Sequence, residues 1–271
     1  MNEKASRPIG VFDSGLGGLT VVKMLLQRLP HENIIYFGDT ARVPYGDRSK
    51  QTIIQYAKDD IDFLLTHDVK AICIACNTAD SMAKAEMEQR YRIPIIGVVE
   101  PAAKMAAATS QNRKIGVIGT KATIKSGAYA AVIAREAPDA EVISVPCPLL
   151  CPLVEEGRFL PGDAVVESVL RDYLAPIKAA GADTLILGCT HYPLLMPKIK
   201  KYLPAGVRVI SQGEYVAKSL QDYLERHPQL EQRCAKHGEA HYLTTENPEK
   251  FKEQAQIFLN DDILVENITL G

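Results

Sequence analysis

Two apolar runs, each closed by a cysteine, constrain this chain more than any other feature. AICIACNT occupies residues 71–78 and TLILGCTH occupies residues 184–191. Each is an apolar stretch followed by a small residue, a cysteine and hydrogen-bonding side chains. A second pair stands ahead of them, IGVFDS at 9–14 and IGVIGT at 115–120, each opening into a turn with a hydroxyl at the sixth place. Cys189 follows Cys76 by 113 positions, and Ile115 follows Ile9 by 106. Two matches in the same order at similar offsets read as two copies of one unit. Continuous apolar runs suit strands buried on both faces of a parallel sheet. Parallel neighbours require long crossovers, usually helical.

The rest of the chain supplies those crossovers. Strands are predicted at about 9–12, 33–37, 71–75, 93–98, 114–118, 141–145, 184–187 and 207–210, with further strands at 241–244 and 264–268. Helical patterns fall at about 20–29, 50–66, 80–90, 126–136, 164–179, 214–226 and 249–259. In the second of these Ile53, Ile54, Ala57, Ile61, Leu64 and Leu65 recur with a 3.6-residue period. The segment GDTARVPYGDRS between them reads as a loop, because Pro44 and Gly46 oppose regular structure. The expected fold class is α/β, with two pseudo-symmetric α/β domains, mostly parallel sheets and an active site in the cleft between them. The expected division is 1–98 plus 210–271 for the domain carrying Cys76, and 99–209 for the domain carrying Cys189.

Composition narrows the function classes. In 271 residues, 31 basic and 33 acidic side chains leave a formal charge of -2, so no global basic footprint for nucleic acid exists. No apolar run reaches the ~18 residues of a membrane span. The start, MNEKASRPIGVFD, lacks the apolar core and cleavage site of a secretory signal. A cytoplasmic location is expected. Six cysteines, at 73, 76, 147, 151, 189 and 234, then read as buried, catalytic or metal-bound rather than paired.

Cys76 and Cys189 stand at carboxyl ends of predicted strands, where open α/β sheets place their sites. Each precedes a helix start, whose N–H groups and dipole favour an anion. Opposed thiols around one small molecule suit a reaction with a proton on either face, such as racemisation of an amino acid. The α-hydrogen is a very weak acid, so the site has to stabilise charge on the carboxylate and exclude water. Ser14, Asn77, Thr78, Thr120 and Thr190 are suitable donors. Asp13 and His191 lie near the two thiols in sequence as acid/base partners.

GVFDSGLGGLTV (10–21), GDTARVPYG (38–46), ACNTA (75–79), PLVEEG (152–157) and GCTHYPLL (188–195) together resemble the glutamate racemase family. The resemblance runs from Ile9 to about Leu224. It implies cofactor-independent interconversion of L- and D-glutamate, supplying D-glutamate for bacterial peptidoglycan. It also implies a small-molecule partner only, without nucleic acid or membrane, no cofactor and no metal, and a homodimer. By motif match Cys76 and Cys189 are the acid/base residues. Asp13 would assist Cys76, and Glu155 and His191 would assist Cys189. Asp13, Ser14, Tyr45, Gly46, Asn77, Thr78, Thr120, Thr190 and His191 would contact substrate. One departure is visible: Ser211-Gln212 stands where the family often has Asp-Ser or Asp-Pro.

Blander readings stand beside these. A lone cysteine in an apolar strand is usually core, and Cys73 is read that way. Cys73-x-x-Cys76, Cys147-x3-Cys151 and Cys189-x-His191 have metal-like spacing, but Cys73 and Cys76, three apart on a predicted strand, point to opposite faces. Asp13–Gly18 lacks the spacing of a phosphate-binding loop. Competing functions are a racemase or isomerase of aspartate or another small carboxylate, and a two-lobed protein that binds an amino acid without chemistry.

Overall fold

The computed structural model describes residues 7–230, 236–259 and 261–270; Cys234 lies outside them. Among the described residues ten strands form two sheets. They are β1 Ile9–Asp13, β2 Ile34–Gly38, β3 Ala71–Ile74, β4 Ile95–Gly97, β5 Lys114–Gly119, β6 Glu141–Pro146, β7 Thr184–Gly188, β8 Arg208–Ile210, β9 Ala240–Thr244 and β10 Val265–Asn267. One sheet has the order β10-β9-β2-β1-β3-β4, and the other β6-β5-β7-β8. Every pairing is parallel.

The two orders superpose in sense. β1 and β5 hold equivalent places, as do β3 and β7, so the repeated motifs of the sequence occupy the same two central strands of each sheet. β9 and β10, from the C-terminal segment, extend only the first sheet. β1, β2, β3 and β7 are buried at every residue, as parallel strands covered by helices on both faces should be. β6 is largely exposed and ends in Pro146, which fits an edge strand that needs no further N–H donor.

Helix boundaries follow local chemistry. Helix Ala164–Ala179 starts at Asp163, whose carboxylate accepts the N–H groups of Val165 and Val166. The helix expected over 126–136 is Ala128–Glu136, and a further short helix, Lys121–Ser126, precedes it across Gly127 at φ 69°. That left-handed conformation is accessible to glycine and ends the first helix. The helix expected to begin near residue 80 begins at Asn77, immediately after Cys76. Helices Val99–Thr109, Leu150–Glu155 and Met196–Tyr202 were not anticipated. The loop 38–46 contains short 3-10 turns at Thr40–Arg42 and Tyr45–Asp47.

The two sheets share packing. One buried apolar cluster includes Val11 and Leu19 on the β1 side and Leu187 and Tyr192 on the β7 side. Helix Gln212–Arg226 packs on helix Leu19–Arg28 and on helix Val99–Thr109, tying the layers together. Among the described residues no helix is long and apolar enough to cross a membrane.

Candidate active site

The carboxyl ends of the central strands of both sheets converge on one cavity of about 290 Å³. This is at the small end of the ~300–1,000 Å³ typical of ligand pockets, which suits a metabolite the size of an amino acid. Ser14 follows β1, Cys76 and Asn77 follow β3, Thr120 follows β5, and Cys189 to His191 follow β7; all line it. Tyr45 and Gly46 come from the loop after β2, and Glu155 from the helix reached after β6. Thr78 lines it too, so every predicted site residue but Asp13 is at the cavity. Asp13 is fully buried and does not line the cavity.

Cys76 is the N-cap residue of helix Asn77–Arg90, so its sulfur stands beside that helix's free N–H groups. Burial pushes its pKa up and nearby Asp13 adds to this, while the Ala79 N–H and Ser14 hydroxyl oppose it. Asp13 accepts hydrogen bonds from the N–H groups of Gly15 (3.2 Å) and Gly18 (3.0 Å). Its own pKa is raised by burial against those bonds and against His191. The glycines of the turn are required here. A Cβ on Gly18 would lie 2.5 Å from the Asp13 Cβ, and one on Gly17 would lie 2.3 Å from the Thr190 hydroxyl.

Cys189 has a different entourage. Its Sγ lies 3.7 Å from His191 Nδ1, and His191 Nε2 lies 3.0 Å from Glu155 Oε1. Burial pulls the His191 pKa down, but its bonds to Cys189 and Glu155 outweigh that and raise it to about 10. Burial also pushes the Cys189 thiol up, with Cys151 adding to the effect and His191 opposing it. The His191 ring packs edge-on against Phe258, 6.0 Å between centroids.

The Asn77 amide is fixed by residues distant in sequence. Its Oδ1 accepts from Tyr129 Oη at 2.6 Å and from Gln212 Nε2 at 3.2 Å. These two donors fix the orientation of the amide. Its Nδ2 is buried without a partner among the described residues. A buried donor left open beside a cavity is a place for a ligand acceptor. Thr78 and Thr120 hydroxyls meet at 3.0 Å across the two halves, and Thr190 Oγ1 donates to Asp13 at 3.4 Å.

The sequence profile of a family described as Asp/Glu/Hydantoin racemase matches residues 9–220. The chain belongs to that family. A glutamate racemase from Geobacter metallireducens is 42% identical over 253 residues, covering 93% of each chain. A crystal structure of a Bacillus anthracis glutamate racemase superposes with a TM-score of 0.91 at 37% identity, covering 98% of both chains. One from Francisella tularensis, in complex with D-glutamate, gives 0.89 at 40% identity, again covering 98% of both. The protein is thus an enzyme of the isomerase class, an amino-acid racemase.

Within this racemase further side chains hold the residues that line the cavity. Arg42 donates to Asp39 (2.5 Å), Asp59 (2.8 Å) and Asp60 (2.6 Å) and lies over the Tyr56 ring. Asp39 and Asp60 in turn accept from the Tyr45 hydroxyl, so this buried network anchors the loop that carries Tyr45 to the cavity. Gln212, half of the Ser211-Gln212 departure, is buried and orients Asn77. Cys151 lines the cavity with its Sγ 3.2 Å from Cys189 Sγ. Cys73 is fully buried in the core, as expected.

Proposed function

We propose that this racemase interconverts L- and D-glutamate by a two-thiol transfer at the α-carbon, with Cys76 and Cys189 as the opposed acid and base. The observation that carries the reading is that both thiols line one cavity, each at the carboxyl end of an equivalent strand of its own sheet. In one direction a thiolate takes the α-hydrogen and becomes a thiol, and the other thiol delivers its proton to the opposite face. The return direction exchanges the roles. Atoms and charge balance without an added cofactor. The relatives, named glutamate racemases at about 40% identity, favour glutamate as substrate.

The surrounding groups divide the work. His191, held by Glu155, exchanges a proton with Cys189; Asp13 does the same for Cys76. Asn77 Nδ2, the hydroxyls of Thr78, Thr120 and Thr190, and the N–H groups opening helix Asn77–Arg90 receive the charge that develops on the substrate carboxylate. The two α/β domains, 1–98 with 210–271 and 99–209, enclose the substrate in their cleft, and the D-glutamate formed supplies peptidoglycan synthesis.

The test is racemisation and α-deuterium exchange in deuterated water, run with glutamate and with aspartate. The wild type converts glutamate, and Cys76→Ala and Cys189→Ala each lose about 10²–10⁴ in turnover while keeping the wild-type circular dichroism. Turnover survives dialysis against a chelator and needs no pyridoxal phosphate. Either alanine variant racemising at a rate near wild type overturns the paired-thiol scheme; faster conversion of aspartate overturns the substrate.

A further inference from the structure

Cys151, Cys189 and His191 present two sulfurs and a ring nitrogen that all lie within 4.8 Å of one another. The sulfurs are 3.2 Å apart, and Nδ1 is 3.7 Å from Cys189 Sγ. Zinc bound tetrahedrally at ~2.3 Å to sulfur and ~2.0–2.1 Å to nitrogen sets its ligands roughly 3.5–3.8 Å apart. Two of the three separations are therefore close to the required spacing: the sulfurs need to part by about half an ångström, and Cys151 Sγ and His191 Nδ1, within 4.8 Å of each other, have to close by at most about an ångström. Independently, Glu155 Oε1 sits 3.0 Å from Nε2 on the far side of the imidazole. A carboxylate in that place accepts a hydrogen bond from Nε2–H, which keeps the proton on Nε2 and leaves the Nδ1 lone pair free for a metal.

We propose that Cys151, Cys189 and His191 form an inhibitory site for a thiophilic divalent cation of the zinc class. Cys151 Sγ, Cys189 Sγ and His191 Nδ1 supply three ligands, and water or a carboxylate oxygen in the cavity supplies the fourth. Binding releases the two thiol protons to solvent. It also ties up the Cys189 thiolate, so the ion closes the site rather than serving the reaction. Cys151 is what makes the cation site: without it only Cys189 and His191 remain, and two ligands hold zinc poorly. Ion binding stands on these ligands alone, while the inhibitory consequence rests on the racemase reading above.

Cobalt(II) titration of the whole reduced chain, anaerobic and in a phosphine reductant, separates the two. The wild type takes up one equivalent with near-ultraviolet thiolate charge-transfer absorption and the visible bands of a tetrahedral ion, and zinc bleaches both. Cys151→Ala, Cys151→Val and His191→Asn, each checked by circular dichroism, weaken binding roughly tenfold or more. In the racemisation assay, zinc inhibits the wild type at concentrations that spare Cys151→Ala, each rate taken relative to the same protein without metal, and a chelator restores it. Absence of the tetrahedral bands overturns the site, as does binding undiminished in both Cys151 variants. A chain that binds cobalt in this way and racemises nothing would instead sink the racemase reading and leave the metal site standing.

Discussion

Asn77 shows how much a single side chain depends on residues distant in sequence. Its open Nδ2 is useful only while Tyr129 and Gln212 hold Oδ1. Tyr129→Phe removes one of the two donors and leaves the ring in its buried place. Losing a buried hydrogen bond costs ~1 kcal/mol or somewhat more. The expected outcome is a fall in kcat/KM of about tenfold, the equivalent of ~1.4 kcal/mol, with a thermal midpoint lowered by only a few degrees. Steady-state kinetics and a melting curve check it. The two thiols were legible in the sequence because hydrogen-bonding neighbours surround each one, which core cysteines do not require. Cys151 was not, since Cys147-x3-Cys151 carries no such signature, and its nearness to Cys189 arises only when the ends of β6 and β7 are brought together. The same holds for Gln212, which read as a departure from a motif until the fold set it 3.2 Å from Asn77.

At the scale of the element, strands were easier to read than helix starts. Apolar runs announce buried strands, whereas Asn77 and Thr78 are residues that favour caps and turns, so the helix after Cys76 was expected three residues late. Helix Val99–Thr109 was missed because Pro101 stands in its first turn, a position proline tolerates. That helix start has its own device. Asp80 is nearly buried and accepts the Val99 N–H at 2.6 Å, close against Gly97. Burial raises its pKa from 3.8 to about 7, against that hydrogen bond. Between those values the folded chain keeps a proton that the unfolded chain releases, so this group makes stability fall as pH rises through the window. Asp80→Asn cannot ionise and retains an acceptor for Val99. Unfolding free energies from urea titrations at pH 4.5 and pH 7.5 should therefore diverge less for the variant than for the wild type, by on the order of a few kcal/mol. An equal pH response in both proteins would show that Asp80 ionises freely in the fold.

Across the whole molecule the doubled strand order was foreshadowed by the doubled motifs, and the sheet extension by β9 and β10 was anticipated from weak strand patterns alone. What could not be seen was the work of the C-terminal segment. It carries no recognisable motif, yet Phe258 abuts His191, and Thr245 Oγ1 accepts the Ala41 N–H at 2.9 Å. Periodicity reports which face of an element is apolar, not which distant element will cover it.

The matched halves are not matched at their tips: one thiol has a carboxylate and a hydroxyl for company, the other an imidazole and a third sulfur. L- and D-glutamate are mirror images, equal in free energy in water, so the equilibrium constant between them is one whatever the catalyst. The Haldane relation then obliges kcat/KM to be the same for both enantiomers while leaving kcat and KM separately free. Unequal flanks let the bound enantiomers differ in energy, so kcat and KM for the L and D forms should be displaced by one common factor. Full progress curves from each side would reveal that lopsidedness, and they should still converge on a racemate.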